Sequence, residues 1–210
     1  MVDSTLVKTA QVSAIMTAAA ASGLYPSVNP LEISLTCHGV GGILSISLFT
    51  IPSLTLKHAP QTNGRTTTTL GAPLSHIARQ WQSAYDLGKK LFPSLAVTSS
   101  LLYSFAAYTL SRERSVTGRH VGLLYTAAGL NVMIAPFTLL AIVAVNNVIA
   151  PYTSGKHDLT ADGKEDAQYE QTEKGFVGQL EKWSLLNAIR GFFPLAGAGL
   201  GAAVSFGLLS

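Results

Sequence analysis

The sequence predicts an all-α integral membrane protein, a four-helix bundle with an amphipathic helix on the membrane surface. Mean hydropathy is +0.34, and only 12% of the 210 residues are charged against 48% hydrophobic. An ordinary soluble domain carries about 25% charged residues. The charges also gather into a few clusters between long apolar runs, the pattern of membrane spans joined by short loops. Finally, residues 73–90 place apolar side chains at helical spacing with polar ones opposite, as in a helix at a lipid–water interface.

The whole chain, 1–210, reads as a single membrane domain. Its net charge is +3, but no Lys/Arg tract is interleaved with aromatics, which argues against a nucleic-acid partner. Cys37 is the only cysteine, so there is no disulfide framework, CxxC metal site or redox pair. Its neighbour His38 does not make a metal or haem site of it, because adjacent residues on a helix diverge.

Residues 5–24 form an Ala-rich run with Lys8 and Gln11 near its start. It resembles a cleavable signal peptide, but further spans follow, so it serves equally as a first or split membrane helix. Pro26, Pro30 and Glu32 break any helix over 25–32. The first clear span is 33–56, with Gly39, Gly41 and Gly42 permitting close helix contact. Residues 57–70 are threonine-rich and form a surface loop. In 73–90, Leu74, Ile77, Ala78, Trp81, Tyr85 and Gly88 share a face, with Ser75, Arg79, Gln82, Asp86 and Lys89 largely opposite. A second span covers 92–110, with Pro93 at its start. A basic turn follows, with Arg112, Arg114 and Arg119. The third span is 120–150, in which Asn131, Thr138 and Asn146 lie within about 80° on a helical wheel. Residues 151–182 carry many charges and read as a polar, solvated loop, where lysines among the carboxylates argue against a metal. The last span runs over 185–209 and offers Gly197xxxGly201 as a packing face.

At the start of that span Trp183, Asn187, Arg190 and Pro194 fall at i, i+4, i+7 and i+11, one helical face. A charge inside an apolar segment costs roughly 2.5 to 3.5 kcal/mol on insertion scales, so it usually faces protein or a wet cavity. The competing reading is an arginine snorkelling to headgroups beside an interfacial tryptophan. Because successive spans alternate in direction, the 73–90 helix, Asn146 and the Asn187/Arg190 pair share one membrane face, which favours a pocket roofed by Trp81 and Tyr85. Sidedness stays open: Arg112, Arg114 and Arg119 favour a cytosolic turn, but Lys57, Lys89 and Lys90 weigh on the other side.

Several short motifs, in order, resemble one family: Ile51-Pro52-Ser53-Leu54; Trp81-Gln82 with Tyr85, Gly88 and Pro93; Pro136-Phe137-Thr138 with Asn146-Asn147; and Trp183 with Leu186-Asn187 and Arg190. They resemble the anthrone oxygenases of fungal polyketide pathways, over roughly residues 40–205. Size and composition are similar to members acting on norsolorinic acid anthrone in aflatoxin, a mycotoxin, biosynthesis. The stretch from about 24 to 40 departs from the family as an insertion into its first span.

The resemblance implies a four-helix membrane monooxygenase that converts an anthrone to an anthraquinone with O2 as co-substrate; no cofactor is expected, because the substrate's carbanion can react with O2 directly. It implies Arg190 and Asn187 as oxyanion donors, Asn146 and Thr138 placing the substrate, and Trp81, Tyr85 and Trp183 against its rings. His76 is the candidate base, with His120 and His157 behind it. The implied partners are an aromatic polyketide anthrone, the lipid bilayer of the endoplasmic reticulum or pathway vesicles, and other pathway enzymes. No GxGxxG after a strand, Walker sequence, HExxH or 2-His-1-carboxylate spacing stands out. On the residues alone a non-catalytic membrane subunit and, after it, a metabolite transporter remain alternatives; no inverted repeat supports the latter.

Overall fold

The computed structural model describes residues 30–56, 70, 72–112, 118–158 and 166–206. The expected leader or span at 5–24, most of the threonine-rich loop and Arg114 lie outside the described residues, as does the part of the 24–40 stretch before Pro30. Among the described residues every regular element is helical. Four helices are long and apolar enough to cross a membrane: Thr36–Leu54, Leu74–Ser111, Gly118–Ser154 and Tyr169–Ser205. The chain is an all-α, multi-pass membrane protein.

Helix α1 (Pro30–Ser45) begins at a proline, whose missing N–H is unpaired in any first helical turn. It runs through a π-helical segment, Ile46–Thr50, into the short α2 (Ile51–Leu54). Helix α3 is a continuous 38-residue element, Leu74–Ser111. The expected surface helix 73–90 and the expected span 92–110 are therefore one helix. Pro93 lies inside it; it removes one backbone donor, which apolar helices tolerate, and Leu87, Lys89, Lys90 and Leu91 around the junction are good helix formers. The apolar face of the 73–90 stretch also packs on protein rather than lipid, since Leu74, Ile77, Ala78 and Trp81 are at most 2% exposed.

The third span is built of α4 (Gly118–Val132), α5 (Ile134–Phe137), a π segment (Thr138–Ile142), α6 (Val143–Ile149) and a 3-10 turn, Ala150–Ser154. The π segment follows Pro136, whose lack of an N–H interrupts the regular ladder. Helix α7 runs over 40 residues, Asp166–Ser205. The expected solvated connection 151–182 is thus helical from Asp166 onward. Its charges concealed a buried stripe, Phe176, Leu180 and Trp183, at i, i+4 and i+7, and Glu170 pairs with Lys174 one turn away at 2.7 Å. At 1.5 Å per residue α3 and α7 are each roughly 60 Å long, about twice the hydrocarbon thickness.

The chain divides into two compact units: Met1–Ile43, Lys90–Phe137 and Ile189–Ser210 form the first, Leu44–Lys89 and Thr138–Ala188 the second. Each takes a segment from all four spans. The first is held by small residues. A Cβ on Gly42 would meet the Phe92 ring at 2.7 Å, one on Gly201 would meet Tyr103 at 2.6 Å, and one on Gly197 the Ala127 carbonyl at 3.1 Å. The expected Gly197xxxGly201 face is therefore used, against α4 and α3. Around it Tyr103, Ala106, Ala107, Leu110, Leu124, Ala127 and Val204 make a buried cluster. Outward side chains such as Leu101, Phe105 and Phe192 are 59–66% exposed and suit a lipid surround.

Candidate active site

The second unit contains both π segments and most of the polar residues singled out by sequence. Its organising element is the buried stripe of α7, which continues from Trp183 to Asn187, 2% and 0% exposed. The Trp183 indole donates its Nε1–H to Asn146 Oδ1 at 2.7 Å. One turn later Asn187 Nδ2 donates to Ser47 Oγ, also at 2.7 Å. Ser47 lies in the first π segment, and its backbone carbonyl accepts the Ser184 hydroxyl at 2.7 Å. These three bonds tie α7 to the first and third spans within this unit.

The fourth wall is α3. Trp81, fully buried, meets Trp183 edge-to-face at 5.9 Å and stacks nearly parallel on Tyr85 at 5.6 Å, an interplanar angle of 4°. The start of α3 is clipped to the end of the third span. Asp158 Oδ1 accepts the Ser75 backbone N–H at 2.9 Å, a carboxylate at a helix N-terminus, and Arg79 Nε donates to the Thr153 carbonyl. Gly155 turns the chain there with a φ of 77°, a conformation only glycine adopts without strain. Tyr152 rests between His157 and Phe176, with centroid distances of 4.6 and 4.7 Å.

Two buried side-chain N–H donors in this unit have no hydrogen-bond partner among the described residues: Trp81 Nε1 and Asn146 Nδ2. Leaving such a group unpaired costs about 1–3 kcal/mol. Both belong to side chains that touch Trp183.

Of the sequence-predicted residues, Asn146, Asn187, Trp81, Tyr85 and Trp183 come together in this unit. Thr138 is half-buried and opens the second π segment. The wheel that grouped it with Asn131 and Asn146 assumes one uninterrupted α-helical period, which the π segment breaks. His76 is exposed; five residues before Trp81, it points about 140° away from it around α3, so the structure does not bring it to the indoles. His157 is exposed beside Tyr152, and His120 is half-buried in the first unit. Ser47 was not anticipated, since a serine in an apolar run gives no signal of its own. Neither was Glu173, 4% exposed and the one buried carboxylate among the described residues, because its neighbours in sequence are charged.

Arg190 belongs to the first unit. It is 8% exposed, the one buried cation among the described residues, and its guanidinium lies 5.9 Å from the Phe92 ring centre, a cation–π contact. The snorkelling alternative requires an exposed head group, and this one is buried. A small cavity of about 10 Å³ in the same unit is lined by Phe92, Ser99, Asn131 and Pro194, among others. Ser99 Oγ and Asn131 Oδ1 are buried there without partners, while Asn131 Nδ2 donates to the Ala127 carbonyl. The volume and the donor–acceptor pair suit a single water. Among the described residues no three His, Cys, Asp or Glu side chains are grouped to hold a metal ion.

Known proteins resemble this chain over most of its length. The profile of the anthrone oxygenase family matches residues 81–200, from Trp81 past Arg190. An anthrone oxygenase of Paecilomyces divaricatus is 31% identical over 164 residues, covering 77% of this chain and 85% of the relative. One from Claviceps purpurea is 30% identical over 82% of this chain and 87% of its own length. A monooxygenase of Dothistroma septosporum is 30% identical over 77% and 73%. No solved structure matches significantly. The profile covers more than half of the chain and the relatives most of it: this protein belongs to the anthrone oxygenase family and is a membrane-embedded oxygenase.

Proposed function

We propose that the protein oxidises a polyketide anthrone to the corresponding anthraquinone with O2, without a cofactor. The observation that carries this reading is a set of aromatic rings and hydrogen-bond donors buried within apolar membrane helices, where polar groups are costly unless used. Family membership supplies the substrate class, and several relatives are themselves anthrone oxygenases.

The substrate's own chemistry explains why no cofactor is needed. Loss of a proton from the central methylene gives a carbanion delocalised onto the carbonyl oxygen across the ring. That electron-rich anion reduces O2 and combines with it, forming a C–O bond at the former methylene. Loss of the second C–H proton with O–O cleavage then gives the new C=O and releases water. One oxygen atom enters the product and the other leaves as water.

The protein binds a flat apolar molecule, favours its anion and excludes water. In this reading Trp81, Tyr85 and Trp183 hold the rings and Asn146 meets the oxygen. Asn187 braces the helix through Ser47 instead of donating to substrate. Thr138 stays a substrate-placing candidate. Arg190 stays the oxyanion-stabilising candidate that the resemblance to the family implies. With the anion stabilised, the proton passes to solvent base.

We take norsolorinic acid anthrone as the first substrate to try and the endoplasmic reticulum or pathway vesicles as the membrane. The test is to supply membranes with that anthrone and with others lacking its acyl chain under 18O2, before and after chelation and dialysis. One labelled oxygen should appear in the quinone in both cases. Activity lost on dialysis and restored by one metal or cofactor would overturn the cofactor-free mechanism. Absence of label from every anthrone would overturn the reaction itself.

A further inference from the structure

We propose that the Trp81 indole N–H and the Asn146 amide N–H form a two-donor clasp for one carbonyl or enolate oxygen of a flat aromatic ligand. This deepens the functional reading above and rests on it for the identity of the ligand.

Three observations define the clasp. Both donors are buried, on residues 0% and 7% exposed, and both lack a partner. The amide orientation is fixed chemically: an indole nitrogen only donates, so the Asn146 atom facing Trp183 Nε1 at 2.7 Å must be the oxygen, which leaves the NH2 free. Trp183 also meets Trp81 edge-to-face, so a single indole positions both donor side chains.

The donor set selects the ligand. What remains unpaired on Trp81 and Asn146 can only donate, and it therefore seeks an acceptor that brings no protons of its own. A ketone or enolate oxygen fits that description. A water is a poorer match, because its two hydrogens need acceptors; the one other unpaired buried side-chain N or O atom in this unit, among the described residues, is the Tyr169 hydroxyl. The first unit makes the contrast, pairing a hydroxyl with a bare amide oxygen as a water requires. The indole faces and the stacked Tyr85 then give the rest of the ligand planar apolar neighbours. Only the oxygen needs to enter edge-on between the two donors.

The experiment uses the purified full chain in lipid nanodiscs under argon, so that no turnover occurs. Trp81 and Trp183 are the only two tryptophans in the sequence, and both sit in the cluster, so intrinsic fluorescence reports binding there directly. It is titrated with the anthraquinone product and with the hydrocarbon of the same ring skeleton lacking the oxygens. The wild type should bind the quinone at least about tenfold more tightly, as hydrogen bonds from two buried donors imply. Trp81→Phe removes one N–H and keeps an aromatic ring, while Asn146→Asp keeps the acceptor for Trp183 and turns the outward donor into an acceptor. Each should abolish the preference and lower kcat with anthrone and O2 by about 10²-fold, the usual loss for one oxyanion donor.

Thermal stability is read beside binding: Trp81→Phe deletes a donor that has no partner, so its stability should fall only by the packing volume that the smaller ring gives up, while the quinone preference is lost in full. The clasp is overturned if the wild type oxidises anthrone yet binds quinone and hydrocarbon equally, or if Trp81→Phe keeps both preference and turnover. If the wild type prefers the quinone, the two variants lose that preference, and anthrone is still not oxidised, the clasp stands and the proposed reaction falls.

Discussion

In the first unit helices approach closely because glycine lets them, with Gly42, Gly197 and Gly201 facing rings or backbone. In the second, the same spans are joined by side-chain hydrogen bonds: Trp183 to Asn146, Asn187 to Ser47 and Ser184 to the Ser47 carbonyl. Small-residue contact relies on dispersion over a matched surface, which tolerates no added volume. Hydrogen-bonded contact orients its groups, and in apolar surroundings removing one partner strands the other. Both units leave some buried polar atoms unpaired, but the second arrangement fixes directions. A unit that is to recognise a polar atom on an apolar ligand needs those directions.

The largest effect is expected from the charge that the first unit buries. Arg190→Ala should lower turnover on the order of 10²-fold or more, the scale of losing one electrostatic stabiliser, with a much smaller fall in protein level. Parallel losses in turnover and level, read by activity and immunoblot of the same membranes, would return Arg190 to a structural role beside Phe92.

Next come two substitutions that probe the contrast itself. Gly201→Ala places a Cβ 2.6 Å from Tyr103 and should cost about 1–3 kcal/mol in detergent unfolding, whereas Gly41→Ala, with nothing within 4 Å, should be neutral or slightly stabilising. Trp183→Phe changes volume modestly but strands Asn146 Oδ1, again costing about 1–3 kcal/mol. It should also impair quinone binding, which Gly201→Ala should not. Equal effects of both variants on binding would erase the distinction between the units.

The smallest effect concerns the cavity. If Ser99 and Asn131 share a water, Ser99→Ala loses one of its bonds and should destabilise by about 0.5–1.5 kcal/mol. A gain in stability would show the cavity to be dry.

Hydropathy and charge clustering determined the class of this protein. A run of apolar side chains long enough to cross a bilayer has few other stable fates, so four spans could be read without coordinates. Trp81, Tyr85, Asn146, Trp183 and Asn187 were also legible, as polar or aromatic residues in places where burial makes them expensive. What only the tertiary structure decided is which groups meet. It joined the 73–90 stretch to the following span and extended the last helix back to Asp166, because packing on protein outweighed the local charges around Lys89 and Glu173. It supplied Ser47 as the partner of Asn187, assigned Arg190 and Asn146 to different units, and turned His76 away. Hydrogen-bond partners 37 to 140 residues apart in sequence leave no periodic trace, since a side chain's cost is local whereas its satisfaction depends on where the rest of the chain returns.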